Sequence, residues 1–228
     1  MHHTRETRLR NARLALIGWL GFLVMLLLAC TSQVWSAELI ESVGRVTLTE
    51  GGSVSSYGTG TLVAKDERFG YVLTCAHVVD EREGKQLAVE FQGEARANAT
   101  VLEQQAEADL AILRIDRPAK SCRSICWQKL ELRQPVWQSG YGHKGKPPRQ
   151  IWGQVTHLER GAYFCATPIA RLGDSGGPVL NEKGEVVGVI SATWMPDLPR
   201  ATSFSKSMRA MYATPLSSNQ WLKKHLPK

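Results

Sequence analysis

The sequence predicts an all-β chain. Between Val43 and Ala192, short apolar runs recur, each broken by Gly, Pro, Asn or Asp. The runs fall into two series on either side of Arg117-Pro118-Ala119-Lys120, which reads as a linker. Only the two ends depart from this pattern. The first is a long low-charge run and the last has the spacing of a short helix.

At the N-terminus, Arg5, Arg8, Arg10 and Arg13 precede an uncharged run from Leu14 to Ala29. That run has 16 residues, short of the roughly 20 that span a bilayer comfortably. A basic start and a short apolar stretch describe an N-terminal export or anchor helix within residues 1–37. Three forms stay open. A cut after Ser36 would use Val34 and Ser36 as the small-residue positions. Leu27-Leu28-Ala29-Cys30 has the look of a lipoprotein signal with Cys30 lipidated. An uncleaved anchor is the third. Each puts residues 38–228 outside the cytoplasm, with membrane contact through the N-terminal segment. Removing four Arg and one Glu with residues 1–37 lowers the net charge from +7 to +4. The remaining charge is scattered, with no basic stripe interleaved with aromatics, so nucleic acid is not an expected partner.

The first series of strands is Val43–Leu48, Gly58–Ala64, Tyr71–Cys75, Leu87–Phe91, Ala99–Leu102 and Leu110–Ile115. Turns are expected at Glu50-Gly51-Gly52 and at the charged loop Lys65–Arg68. The second series is Pro135–Gly140, Ile151–His157, Tyr163–Ala166, Gly177–Leu180 and Val186–Ala192. At the end, Ser217 or Ser218 caps a helix over 217–226, with Trp221 and Leu222 facing inward and Lys223 and Lys224 outward. No internal repeat is evident.

Chemistry concentrates in Gly-Asp-Ser-Gly-Gly-Pro at 173–178. Glycines let backbone approach a ligand closely, and Ser175 is the candidate nucleophile. The same residues fit the G-x-S-x-G elbow of α/β-hydrolases. That elbow needs a helix after the serine, whereas Val179-Leu180 reads as a strand, and the one later histidine is His225. A plain glycine-rich turn is the simplest alternative. Serine needs a base and a group that orients the base. His77 ends an apolar strand in Thr74-Cys75-Ala76-His77. Asp109 opens another in Asp109-Leu110-Ala111-Ile112-Leu113. Alone, His77 reads more simply as a satisfied structural histidine and Asp109 as a solvated strand end.

Together, Thr-x-Ala-His, Asp-Leu-Ala-Ile-Leu and Gly-Asp-Ser-Gly-Gly-Pro, in the order His, Asp, Ser, resemble the motifs of chymotrypsin-fold, trypsin-like serine proteases. The resemblance covers about Val43 to Ala192. The compact spacing, and Gly-Pro-Val-Leu-Asn-Glu-Lys-Gly-Glu-Val-Val-Gly-Val at 177–189, look closer to the bacterial high-temperature-requirement proteases, without a PDZ domain.

The resemblance implies two antiparallel β-barrels, about 38–118 and 119–214, with a cleft between them. It implies catalytic His77, Asp109 and Ser175, and an oxyanion hole from the N–H groups of Gly173 and Ser175. Ser191, Ala192 and Thr193 match the strand that pairs with an extended peptide substrate. The floor of the specificity pocket falls on Ile169, six residues before Ser175. It is uncharged, which implies cleavage after small or medium aliphatic residues. The chain departs from the animal enzymes in three places. It has no Arg-Ile-Val-Gly-Gly activation site, which leaves the role of Asp174 open. It has no cysteine after His77, and none in the loop before Ser175.

Cys75, Cys122, Cys126 and Cys165 would remain after export, an even number that points to disulfides, with Cys122–Cys126 one possible pair. Zinc on Cys75, His77, Cys122 and Cys126 would use poor Cys-x-His spacing and consume the base, so no metal or other cofactor is expected. The expected function is an exported serine endopeptidase acting on protein or peptide substrates. The competing reading is a protease-fold binding or scaffold protein without turnover.

Overall fold

The computed structural model describes residues 19, 40–116, 118, 120–142, 148–159, 163–166, 170–192, 211–217 and 219–227. The chain divides into two units, Met1–Glu38 and Leu39–Lys228, and the fold below is that of the second. Apart from residue 19, the expected export segment lies outside the described residues, as do Ile169 and Thr193. Among the described residues no helix is long and apolar enough to cross a membrane.

Two closed antiparallel barrels account for the strands. The first comprises β1 (Val43–Glu50), β2 (Ser53–Lys65), β3 (Phe69–Thr74), β4 (Gln86–Phe91), β5 (Ala97–Gln105) and β6 (Leu110–Asp116). Its order is β1-β2-β3-β6-β5-β4, closed where β4 pairs with β1. The second comprises β7 (Pro135–Gly140), β8 (Arg149–Glu159), β9 (Tyr163–Ala166), β10 (Pro178–Leu180), β11 (Val186–Ala192) and β12 (Met211–Pro215). Going round from β7, its order is β7-β8-β9-β12-β11-β10, the connectivity of the first barrel over again. The repeat exists in topology, with no counterpart evident in the sequence.

Local chemistry explains most elements. Gly51 and Gly52 both take positive φ, 55° and 83°, as a two-residue hairpin turn between right-twisted strands requires. That tight turn starts β2 at Ser53, five residues before the apolar pattern does. Ser53–Ser55 are exposed, so pairing to β1 rather than burial makes them strand. Alternation then fills the first barrel with Val46, Leu48, Leu62, Val72, Val89 and Leu113. β11 has no polar face. Val187 and Ile190 pack in the second barrel's core, while Val186 and Val189 join the cluster that contains the first barrel's core. A strand buried on both faces reads as a continuous apolar run.

Three expectations are corrected. β12 was not anticipated, although it pairs with both β11 and β9 and completes the second barrel. Five residues ending in proline give too short a pattern to stand out. The C-terminal helix α1 is Gln220–His225, and its cap is Asn219, whose side chain accepts the Leu222 N–H at 2.8 Å. Finally, Cys75 and Cys126 are free thiols, so the Cys122–Cys126 bridge is not formed. Cys75 is buried against β11, and Cys126 belongs to the second barrel's core cluster. Both are held by packing.

Leu222 is fully buried in the first barrel's cluster and is the one buried residue of α1. A helix of six residues is too short to be stable alone. Leu222→Ala is therefore expected to lower stability by about 2–5 kcal/mol, read by denaturant unfolding, and to release α1 to proteolysis before the barrels unfold.

Candidate active site

β3 ends at Thr74, and a turn closed by Val79 N–H donating to Ala76 O at 2.9 Å presents His77. Asp109 arrives from the neighbouring strand, immediately before β6, which pairs with β3. Ala106–Ala108 make one 3-10 turn, and Asp109 follows at φ 52°, in the left-handed region. Aspartate tolerates that region better than most residues. Both carboxylate oxygens are used. Oδ1 accepts the His77 backbone N–H at 3.0 Å, and Oδ2 lies 2.8 Å from His77 Nδ1. The Ser191 hydroxyl, from β11 of the second barrel, also donates to Oδ2.

These contacts set the proton affinities. The Asp109 hydrogen bond holds the His77 imidazole above its usual value, against the opposing pull of burial. Burial pushes the Asp109 carboxyl up, but hydrogen bonds from the His77 ring, the Ser191 hydroxyl and the His77 N–H outweigh it and leave it lowered. Asp109 is thus ionised and accepting, so Nδ1 carries the proton and Nε2 is the acceptor nitrogen of the neutral His77 ring.

Ser175 lies in the second of two consecutive short turns. Asp174 N–H donates to Arg171 O, and Gly177 N–H to Asp174 O, each at 2.9 Å. Gly176 takes φ +85°, and a Cβ there would lie 2.0 Å from Thr59 O, so only glycine fits. The loop is stitched across the barrels, because Thr59 N–H donates to Ser175 O at 2.8 Å. The Ser175 hydroxyl donates to Ser191 O at 3.3 Å, and it makes no hydrogen bond to His77 in this structure. Ser175, Ser191, Asp109 and His77 form one hydrogen-bonded line across the two barrels.

A family model described as a trypsin-like peptidase domain matches residues 58–189, more than half of the chain. The chain belongs to the trypsin-like peptidase family. Among curated proteins, "Serine protease HTRA1A" of Danio rerio is 28% identical over 144 residues, which is 58% of this chain and 29% of that protein. A "Probable periplasmic serine endoprotease DegP-like" of Buchnera aphidicola is 26% identical over 160 residues, 66% of this chain and 33% of that protein. The trypsin-like chain thus spans about a third or less of the length of these relatives. A solved serine endoprotease from Yersinia pestis shares the fold with a TM-score of 0.65 at 19% identity, covering 79% of this chain and 62% of that one. Rv3671c from M. tuberculosis H37Rv, in an inactive form, gives 0.63 at 20% identity, covering 84% and 91%.

Within this trypsin-like fold, Asp174 has a place that its sequence context left open. It is buried, with Oδ1 accepting Gly142 N–H at 2.8 Å and Oδ2 accepting Arg171 N–H at 2.7 Å. It ties the Ser175 loop to the chain that follows β7. A Cβ on Gly140 or Gly142 would come within 2.6 Å of Asp174 Oδ1, which explains glycine at both. Cys75, read in the sequence as a disulfide partner, donates to Ile190 O at 2.9 Å. Burial, then the nearby Asp109 charge, keep it a neutral thiol. It lies within 4.8 Å of the ligand-capable atoms of His77 and Asp109, whereas the zinc set weighed from sequence also needed Cys122 and Cys126. Ala192 ends β11 opposite Tyr212, beside the Ser191 that meets Asp109. Gly173 takes φ +97°, and a Cβ there would lie 2.4 Å from the Tyr57 ring. Tyr57 and Thr59 were not singled out by sequence; the only signal was the alternation Gly58-Thr59-Gly60.

Proposed function

We propose that this chain is a serine endopeptidase using Ser175, His77 and Asp109. The observation that carries the reading is the His77–Asp109 pairing through Nδ1, capped by Ser191 and joined through Ser191 to the Ser175 turn. Ser175 Oγ turns from Ser191 O toward His77 and attacks the scissile carbonyl carbon, and its proton passes to Nε2. The carbonyl oxygen becomes an oxyanion that accepts N–H donors from Gly173 and Ser175, each worth about 3 kcal/mol. Collapse breaks the C–N bond, the amine leaves with the proton from His77, and an acyl-Ser175 remains. Water then attacks the ester, giving its proton to His77, and the acid departs as Ser175 is re-protonated. Asp109 stays ionised throughout and stabilises the imidazolium.

Residues 1–37 serve as the export or anchor segment in this reading, and the peptidase domain follows from residue 38. The DegP-like relatives named periplasmic favour an exported location. Ser191, Ala192 and Thr193 pair with extended substrate as an added strand. Counting along the sequence makes Ile169 the floor and Thr193 the wall, neither of which supplies a carboxylate to meet a substrate ammonium. Profiling on a peptide library is expected to show cleavage after Ala, Val or Leu. Strong cleavage after Lys or Arg, lost in Asp197→Ala, would mean that Asp197 folds into the pocket.

The Ser175 hydroxyl resting on Ser191 O favours a second reading, a silent protease-fold binding module. Labelling with a fluorophosphonate decides. Covalent modification at Ser175, absent after heat denaturation, supports the peptidase, and an unlabelled folded chain supports the binding module.

A further inference from the structure

Thr59 lies on β2 of the first barrel and has no exposed surface. All three of its polar groups are engaged, in four hydrogen bonds, three of which reach loops of the second barrel. Its hydroxyl donates to Gly173 O at 2.6 Å and accepts Tyr141 N–H at 2.9 Å. Its N–H donates to Ser175 O at 2.8 Å. Its carbonyl accepts the Thr74 hydroxyl at 2.7 Å, one residue before Cys75 and three before His77. One residue therefore holds the carbonyls of both residues whose N–H groups are assigned to the oxyanion hole.

We infer that Thr59 is a positioning residue for that hole, an inference that rests on the peptidase reading above. A peptide plane carries C=O of one residue and N–H of the next. Gly173 N–H and Gly173 C=O belong to successive planes joined at a Cα with φ +97°. Glycine rotates there with little steric resistance, so nothing in its own chemistry selects one orientation. The Thr59 hydroxyl supplies the missing restraint on the carbonyl side. It is itself anchored by the Tyr141 N–H, so the hydroxyl hydrogen points at Gly173 O and nowhere else. Tyr57 closes the opposite side of Gly173. On the other arm, the Thr59 main chain holds the plane that follows Ser175. Donors fixed before the charge appears are what makes an oxyanion hole effective. The charge exists only in the transition state, so loosening the hole lowers kcat and spares KM.

Thr59→Val keeps the shape and removes the hydroxyl, and Thr59→Ser keeps the hydroxyl. We expect kcat for a peptide amide to fall on the order of 10²-fold in Thr59→Val, with KM unchanged, and to recover in Thr59→Ser. Inhibition by a peptide aldehyde, whose adduct carries the oxyanion, should weaken by the same factor as kcat/KM. Binding of the cleaved peptide product should not change, which a general loss of structure would not spare. If Thr59→Val fails to fold, Thr59→Cys, with only a weak S–H donor of similar volume, is expected to show a lower kcat than Thr59→Ser with KM unchanged, and an equal kcat in the two overturns the inference. An active wild type with undiminished kcat and aldehyde affinity in Thr59→Val, or a loss carried by KM alone, overturns this inference by itself. An inert wild-type chain overturns the peptidase reading, and this inference with it.

Discussion

Ser175→Ala is expected to remove turnover on the order of 10⁶-fold while leaving thermal unfolding close to wild type. The hydroxyl makes one long hydrogen bond, 3.3 Å to Ser191 O, so little of the fold depends on it. Ser175's structural contribution is its carbonyl, which accepts Thr59 N–H, and alanine keeps that. The residual rate, measured on a peptide amide, reports what the remaining donors and binding do without a nucleophile. Wild-type-like cleavage by Ser175→Ala protein, freed of contaminating protease, would end the mechanism proposed here.

Asp109→Asn is expected to lower kcat by about 10⁴-fold, with a change in pH profile that identifies the cause. The His77 backbone N–H and the Ser191 hydroxyl each need an acceptor, and the amide oxygen can serve only part of that set. Its NH₂, if turned to Nδ1, donates where the carboxylate accepted. The His77 proton then moves to Nε2, and the base can no longer accept the Ser175 proton. The sign of the pH effect follows from the same contact. In wild type the Asp109 hydrogen bond raises His77 above 6.5. Neutral His77 is the active form, so kcat/KM should be lost as pH falls through a midpoint above 6.5. Without the carboxylate the raising influence is gone while burial still favours the neutral ring, so the acid limb should move to lower pH. A pH–rate profile of both proteins tests this. An unmoved limb would mean that Asp109 does not set the base.

The sequence by itself determined the β class and where most strands run. It did so because a half-buried strand must alternate and a tight turn must carry glycine, and both marks are local. Pro135–Gly140 and Tyr163–Ala166 emerge at their expected bounds for that reason, and Val186–Ala192 does so as an apolar run buried on both faces. The three motifs around His77, Asp109 and Ser175 were legible on the same terms, as short runs with a fixed chemical content. Pairing and proximity were not, because they are settled between residues far apart in the chain. Closure of the second barrel needed β12, whose five residues carry too little pattern to be read alone. An even count of cysteines could not tell a bridge from a buried thiol. That depended on Cys75 facing Ile190 O on β11, 115 positions away. Likewise, nothing in Gly-Thr-Gly says that one hydroxyl will meet Gly173 O, 114 positions further on. Only the packing of one barrel against the other brings that pair within 2.6 Å, where burial makes an unpaired carbonyl costly and a neighbouring hydroxyl decisive.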